Sequence, residues 1–511
     1  MKILDCTIRD GGYYTNWDFN KDLVKIYLES LNNLPIEYLE VGYRSPKLKN
    51  YYGEYYYCPI YVLESIKKTS NKKLVIILNE KDIKIEHIDA LLSPCKEIIT
   101  MVRLAIDPQN LDRAIVLAEK IKSMGFEIGF NVMYMSKWKG QNQFLSELKH
   151  INGVADIFYM VDSYGGIYPE QVKETFEIVR SQTTVPIGFH GHNNLELALI
   201  NSLTAIDCGA EMIDATITGM GRGAGNLKTE LLLTALNARD GLTIDFNALA
   251  DVTASFSKLQ LEYGWGTNLP YMVSGANSLP QKDVMEWITK RFYSINSILR
   301  ALNNQKDKVK DNEQFPVFSQ DKKYKKVIII GGGHSAVEHQ EAIKQMVSTS
   351  ENICMIHASS RHALIYKALN VNQYFCLVGN EGNRLEKIFS DLGNFNGQCI
   401  LPAYPRKMGT YVPKIISEKV FELIKVTFTD NLNDTHTAIA LECCIELGAE
   451  QIYFAGYDGY AGQNLNQREI DLLNENESLF QAFKKSTNKQ LVSLTPTIYN
   501  ELIPESIYSY L

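Results

Sequence analysis

No stretch of this 511-residue chain holds the roughly 20 consecutive apolar residues that a bilayer-spanning helix requires, so no membrane-embedded segment is expected. A basic excess is missing too. The 52 Lys and Arg are outnumbered by 59 Asp and Glu, for a formal charge of −7. That balance excludes a general electrostatic affinity for nucleic acid or anionic membrane, which needs surplus cations to neutralise phosphates. The one lysine-rich stretch, Asp321-Lys322-Lys323-Tyr324-Lys325-Lys326, reads as the solvated end of a linker. Cysteine is sparse, with nine residues scattered and no Cys-x-x-Cys spacing. This excludes a disulfide framework and a zinc ribbon and suits a reducing cytoplasm. The N-terminus lacks the charged-then-apolar segment and small-residue cleavage site of a secretory signal.

What is present is a globular composition, 45% hydrophobic and 22% charged, over a length too great for one ordinary domain. Up to about residue 240, short β-branched or apolar runs alternate with amphipathic stretches, as in repeated βα units. Eight strands are predicted: Ile3 to Ile8, Tyr38 to Tyr43, Leu74 to Leu78, Met101 to Ile106, Glu127 to Met133, Ile157 to Asp162, Pro186 to His192 and Met212 to Thr218. Between them, Leu111, Ala114, Ile115, Ala118 and Ile121 recur at helical spacing and form one apolar stripe. Eight such units match the size of an α/β (β/α)₈ TIM barrel, whose sites lie at the carboxyl ends of the strands; an open doubly wound sheet is the alternative. The expected organisation is a barrel over 1–240, a helical appendage and linker over 241–318, and a Rossmann-like α/β domain over 325–511.

Polar residues gather at the predicted strand ends. Arg9 and Asp10 follow the first strand, Glu40 and Arg44 lie on and after the second, Arg103 on the fourth and Asn131 on the fifth. Asp162 ends the sixth, His190 and His192 end the seventh, and Thr216 and Asn226 lie on and after the eighth. Charges on buried strands are costly unless paired or bound to an ion, so a salt-bridge network closing the barrel or a metal site is expected there. Residues two apart on a strand project to one side, so His190 and His192 can reach one ion. With Asp10 and the amide oxygen of Asn226 they make a mixed N/O set suited to Mg²⁺, Mn²⁺, Co²⁺ or Zn²⁺.

Leu4-Asp5-Cys6-Thr7-Ile8-Arg9-Asp10-Gly11-Gly12 resembles the first-strand signature of the DRE-TIM metallolyases. That group contains 4-hydroxy-2-oxovalerate aldolase, hydroxymethylglutaryl-CoA lyase and the isopropylmalate and homocitrate synthases. Tyr38-Leu39-Glu40-Val41-Gly42, Val161-Asp162-Ser163-Tyr164-Gly165, Gly188 to Asn194 and Gly219 to Asn226 extend the resemblance over about residues 1 to 290. It implies that Asp10, His190 and His192 bind a divalent metal, Mn²⁺ or Mg²⁺ foremost, with Asn226 where some members add a ligand. It further implies an aldolase or lyase that makes or breaks a C–C bond through a pyruvate-type enolate, with a 2-oxo acid and an aldehyde as substrates. A homo-oligomer is expected by the same resemblance.

Arg9, beside the first ligand, is placed to hold the enolate oxygen with a fork of donors. Where the aldolases carry a histidine base, this chain has Tyr13, a proton-relay candidate or an aromatic wall; Tyr14 and Tyr43 are lesser candidates. Glu40 would orient Arg9 or pair with Arg44 or Arg103. Arg103, Asp162, Thr216 and Arg222 are candidate substrate contacts, with Asp162 also able to hold a metal histidine or cap its own loop. The acyl-CoA synthases carry Glu-Gln where this chain has Gly12-Tyr13, which weakens the alternative of a Claisen-condensing synthase.

A second α/β pattern opens at Lys326-Val327-Ile328-Ile329-Ile330, followed by Gly331-Gly332-Gly333-His334-Ser335-Ala336, a G-x-G-x-x-A turn between strand and helix. NADP, another nucleotide or a phosphorylated sugar at Gly331, Gly333 and His334 is expected, with Asp458, which ends a later strand, as a further contact. Asp434 and His436 are weaker candidates. The stretch Leu447-Gly448-Ala449-Glu450-Gln451-Ile452-Tyr453-Phe454-Ala455-Gly456-Tyr457-Asp458-Gly459 loosely resembles the small nucleotide- or pterin-handling α/β domains of the pterin-kinase-like and sialyltransferase-like type. The noncatalytic alternative is a sugar-nucleotide-binding protein on a degenerate barrel.

Overall fold

The computed structural model describes residues 1–289, 293–311, 313–320, 322–406, 408, 410–460 and 467–511. The chain divides into two compact units, Met1–Met285 and Glu286–Leu511.

In the first unit eight parallel strands close into a barrel in chain order. They are β1 (Lys2–Asp5), β2 (Tyr38–Tyr43), β3 (Lys73–Asn79), β4 (Ile99–Ile106), β5 (Glu127–Val132), β6 (Ile157–Asp162), β7 (Ile187–Gly191) and β8 (Met212–Ala215). Their near-continuous apolar runs are buried on both faces, as a helix-wrapped parallel sheet requires. Leu4, Tyr38, Val75, Met101, Ile157, Tyr159 and Met212 belong to a lumen cluster separate from the larger layer between strands and helices. The barrel is therefore a packed core with its chemistry confined to one rim.

The predicted first strand ran to Ile8, but β1 stops at Asp5 and helix α1 (Thr7–Thr15) begins two residues on. The Asp5 carboxylate causes this turn. It accepts the Thr7 N–H at 2.9 Å and the Thr7 hydroxyl at 2.6 Å, and is further held by Tyr27 Oη at 2.6 Å and Thr229 Oγ1 at 2.7 Å. Capping a helix start from the preceding carboxylate satisfies one of its orphan donors. Arg9 and Asp10 consequently ride the first turns of a helix, over the barrel mouth, instead of trailing from a strand. The eighth strand is also shorter than predicted, leaving Thr216 just beyond it.

Helix α2 (Leu111–Ser123) buries Leu111, Ala114, Leu117, Ala118 and Ile121. Ile115, placed in the stripe from sequence, is only partly buried and Leu117 takes its turn of the helix. Helix α3 (Phe246–Tyr263) begins where Asp245 accepts the N–H groups of Asn247 and Ala248 and ends at Gly264, in the left-handed region at φ +68°. The segment 241–318 is not one appendage. The boundary between the units falls at Met285, inside the helix Gln281–Thr289, so the following helix Ile295–Asp307 groups with the second unit.

The second unit is an eight-stranded parallel sheet built from β9 (Lys326–Ile330), β10 (Ile353–His357), β11 (Gln373–Cys376), β12 (Gln398–Leu401), β13 (Val420–Glu422), β14 (Gln451–Ala455), β15 (Leu491–Ser493) and β16 (Ile503–Pro504). Their spatial order is β13-β12-β11-β10-β9-β14-β15-β16, so the chain reverses direction across the sheet between β9 and β14. It is a doubly wound α/β fold, in which such a reversal opens a crevice at the carboxyl edge.

Candidate metal centre

Three ligand-type side chains meet at the carboxyl rim of the barrel. One donor atom each from Asp10, His190 and His192 lies within 4.8 Å of the others, and all three residues are buried. His190 Nε2 is 3.7 Å from Asp10 Oδ2. The other nitrogen of each ring fixes its orientation. His192 Nδ1 sits 2.8 Å from the backbone carbonyl of Asp162, an atom that can only accept, so Nδ1 carries the proton and Nε2 the lone pair. His190 Nδ1 sits 2.8 Å from Asp214 Oδ2 and is fixed in the same way. Burial, with His190 next, pushes His192 down to about 3, so its ring stays neutral and free to coordinate.

Burial acts to raise the Asp10 carboxyl, but Arg9 together with the two histidines outweighs it and holds Asp10 below its ordinary value. Asn226 Nδ2 donates to Asp10 Oδ2 at 2.6 Å, which turns Asn226 Oδ1 away as a buried oxygen without a hydrogen-bond partner. Two imidazoles oriented through their Nδ1 atoms, an ionised carboxylate and an unsatisfied amide oxygen form a donor set that fits a divalent cation.

Beneath this set runs a sealed ionic floor. Glu40 takes Arg9 Nε on one oxygen and Arg103 Nη1 on the other, the latter at 3.1 Å. Arg103 Nη2 continues to Asp214 at 2.6 Å and to Asn131, and its guanidinium lies 4.0 Å from the Tyr159 ring centre. Two guanidiniums thus face the carboxylates of Asp10, Glu40 and Asp214, leaving negative charge in surplus, the sign that favours a cation above it.

Asp214 was missed from sequence, although an acidic residue inside the apolar run Met212-Ile213-Asp214-Ala215 is the same signal that marked Arg103. It fixes His190 from behind as carboxylates do for metal-bound histidines. Asp214→Asn is expected to weaken Mn²⁺ affinity roughly 10- to 100-fold, read by calorimetric titration. Unchanged affinity would mean that Asp214 has no part in holding the ion. Cys6, His190 and Asp214 form a second close group, but burial pushes the Cys6 thiol well up and it donates to the Ala215 carbonyl.

Two residues expected to contact substrate have their side chains engaged within the barrel. Arg103 is fully buried and its fork is spent on Glu40, Asp214 and Asn131, so it serves the floor. Asp162 is also buried, its carboxyl pushed up to about 6 by burial while it accepts the N–H groups of Gly166 and Ile167 at 3.3 and 3.4 Å. Its side chain caps the loop; only its backbone carbonyl holds His192. Glu40 pairs with Arg9 and Arg103, whereas Arg44 donates to the carbonyls of Leu91 and Cys58.

Around the mouth, Tyr13 Oη lies 3.4 Å from Tyr43 Oη, and the Arg222 guanidinium stands 5.2 Å from the Tyr13 ring centre. Arg222 Nε and Thr216 Oγ1 are buried atoms without hydrogen-bond partners. Tyr14 Oη donates to the Gly223 carbonyl at 3.0 Å, which spends it on the loop. In the second unit, Gly331, Gly333, His334 and Asp458 all line one cavity, His436 lines it too, and Asp434 accepts the Tyr293 hydroxyl at 2.9 Å.

Comparison with known proteins agrees with this geometry. Residues 1–255 match the HMGL-like family. The chain is 32% identical over 243 residues to 4-hydroxy-2-oxovalerate aldolase of Geobacillus genomosp. 3, covering 46% of this chain and 70% of the relative. It is 27% identical over 263 residues to oxaloacetate decarboxylase of Mycobacterium tuberculosis, covering 50% and 75%. The crystal structure of the N-terminal domain of a putative aldolase from Bacteroides vulgatus is 60% identical, with a TM-score of 0.57 over 59% of this chain and 100% of that one. With its closed barrel and its paired histidines facing Asp10, the chain belongs to the HMGL-like family of DRE-TIM barrels.

Proposed function

We propose that the barrel is a divalent-metal-dependent carbon–carbon lyase that forms or cleaves a bond next to the keto group of a pyruvate-type 2-oxo acid, with an aldehyde as the second substrate. The observation that carries this reading is the convergence of Asp10, His190 and His192 beside Arg9, whose Nη2 is buried and has no hydrogen-bond partner. Two relatives bear names of enzymes acting on 2-oxo acids, which supports the same substrate class.

Asp10, His190, His192 and the Asn226 amide oxygen would hold the ion, Mn²⁺ or Mg²⁺ best suiting a set with hard oxygen donors. When bound, the ion supplies Lewis acidity toward the keto group of a chelating 2-oxo acid. Arg9 is oriented in advance, with Nε fixed by Glu40 and Nη1 by Asp10, so Nη2 is the donor left for the oxygen where enolate charge develops. Such preorganisation carries no reorganisation cost at the moment of reaction.

Tyr13 moves the proton. Burial, with Tyr13 next, pushes Tyr43 well above its ordinary value, so Tyr43 remains a phenol able to donate toward Tyr13 Oη. Arg222, with a spare buried Nε, holds a carboxylate of the bound acid, and the Thr216 hydroxyl is a further free group at the rim. Retention of the complete donor set argues against a degenerate scaffold.

The test is deuterium exchange into the methyl group of pyruvate, followed by NMR in D₂O with Mg²⁺-loaded protein. Exchange faster than the protein-free control is expected; no exchange, together with thiol release from an acyl-CoA and a 2-oxo acid, would replace this reading with the synthase. Tyr13→Phe is expected to slow exchange roughly 10²- to 10⁴-fold with little change in KM, the range for loss of a general acid or base. Exchange at the wild-type rate in that variant would make Tyr13 a wall of the pocket.

A further inference from the structure

The second unit contains a cavity of about 990 Å³ at the carboxyl edge of its sheet, beside the β9/β14 reversal. It is lined from the turns after β9, β10, β11 and β14 together, the crevice in which open parallel sheets bind ligands. Its volume is at the upper end for small-molecule sites, large enough for a ligand of nucleotide size.

The glycine turn expected from sequence to seat a phosphate lines this cavity, but the helix start behind it is already engaged. Helix α4 (Ser335–Glu338), which follows that turn, is only four residues long. The Asp458 carboxylate already occupies its start, accepting the Ser335 N–H at 3.0 Å as well as the Ser335 hydroxyl. A negative group on that spot repels a phosphate. The glycines are explained by close packing instead: a Cβ on Gly331 would lie 2.3 Å from the Gly456 carbonyl oxygen, and one on Gly333 2.6 Å from Asp458 Cγ.

The cations of the cavity come from the turn after β10 and from helix α5 (Glu381–Phe389), which supply Arg361, Arg384 and Lys387. Arg361 is exposed and makes only a 3.5 Å approach to the Gly332 carbonyl, and Lys387 has no carboxylate partner among the described residues. Arg384 is tethered 3.1 Å from Glu381, which also accepts the Ser360 N–H at 3.0 Å and the Ser360 hydroxyl at 2.5 Å. Glu381 thereby fixes the start of α5 and aims Arg384, while Arg361 and Lys387 form no ion pair among the described residues, although Asp458 and Glu475 also line the cavity.

The β14 side differs in chemistry. Asn476 donates to Tyr499 Oη at 2.9 Å and accepts from Thr437 Oγ1 at 2.7 Å, at the start of helix α6 (His436–Glu446). With Tyr457 these groups make an aromatic, hydrogen-bonding surface suited to a hydroxylated organic body. His436 Nε2, on the same helix start, is a buried nitrogen without a hydrogen-bond partner, 3.7 Å from Glu381.

We propose that this cavity binds an organic phosphate, with the phosphate on Arg361, Arg384 and Lys387 and the hydroxylated body against Tyr457, Asn476 and Tyr499. A sugar phosphate and a nucleotide share this chemistry. The test is calorimetric titration of the full-length chain in EDTA with glucose 6-phosphate, UDP and inorganic pyrophosphate, against the Arg361→Ala/Lys387→Ala variant, whose changes lie at solvent-accessible positions.

Binding of glucose 6-phosphate or UDP with a Kd below about 1 mM is expected, weakened roughly 10- to 100-fold in the double variant, as for loss of charge-assisted contacts; binding of pyrophosphate alone would overturn the organic part of the proposal. Binding of glucose 6-phosphate alone assigns a sugar phosphate, and of UDP alone a nucleotide; either supports the site. Asp10→Asn, in the other unit, should leave the titration unchanged. Absence of binding by all three probes, or equal binding by the double variant, overturns the proposal.

Discussion

His190→Ala will lose its bound metal and at least about 10³-fold in turnover. The imidazole is one of three protein donors that converge within 4.8 Å, and its Nε2 faces Asp10 Oδ2 with the ring held from behind by Asp214. The stabilisation a divalent ion gives to developing charge amounts to several kcal/mol, and each 1.36 kcal/mol is tenfold in rate. Two readouts separate loss of the ion from loss of the fold. In wild-type protein Mn²⁺ at about 100 times its Kd should stabilise the folded state by about 2.7 kcal/mol, visible as a raised Tm. The variant should melt cooperatively with no Mn²⁺-dependent rise. A variant that keeps both the rise and the activity would remove His190 from the metal site.

Arg9→Ala will keep the metal and lose roughly 10²- to 10³-fold in kcat, the scale for removing one preorganised oxyanion donor. The separation of these two outcomes follows from the geometry. Arg9 spends Nε and Nη1 on Glu40 and Asp10, so it is held by the floor and would offer Nη2 to a substrate, whereas the donors proposed for the ion lie on other side chains. Arg9→Lys should recover little, since a lysine ammonium cannot reach both carboxylates and still present a donor in the same plane. Near-wild-type turnover in Arg9→Ala would take the guanidinium out of the mechanism.

Much of this was legible in the chain. Strands β2 and β6 fall where period and composition put them, and His190-Gly191-His192 carried enough geometry to bring both imidazoles to one side. The errors have physical causes. Thr7 and Ile8 have strand-like side chains, and only the buried carboxylate of Asp5, gripped by Thr7, Tyr27 and Thr229, reveals that the chain must turn into a helix there. Two of those partners are distant in sequence, so no local window contains the signal.

Arg103 and Asp162 looked like rim residues because charge on a strand marks function and structure alike. The depth that separates the two roles belongs to the closed barrel. Asp214 carried the same mark and was passed over because its partner, His190, is a strand away. In the second unit the glycine turn was read correctly as a turn, but the helix start after it is held by Asp458, from the turn after β14 more than a hundred residues later.

The account rests on a single divalent ion held by Asp10 and the two histidines. The most direct measurement strips the protein with a chelator, removes the chelator, and titrates Mn²⁺ back while pyruvate methyl exchange is followed in D₂O. Exchange should be absent from the stripped protein and return in proportion to added metal, reaching its plateau at one equivalent per chain. Full exchange by the stripped protein would contradict it.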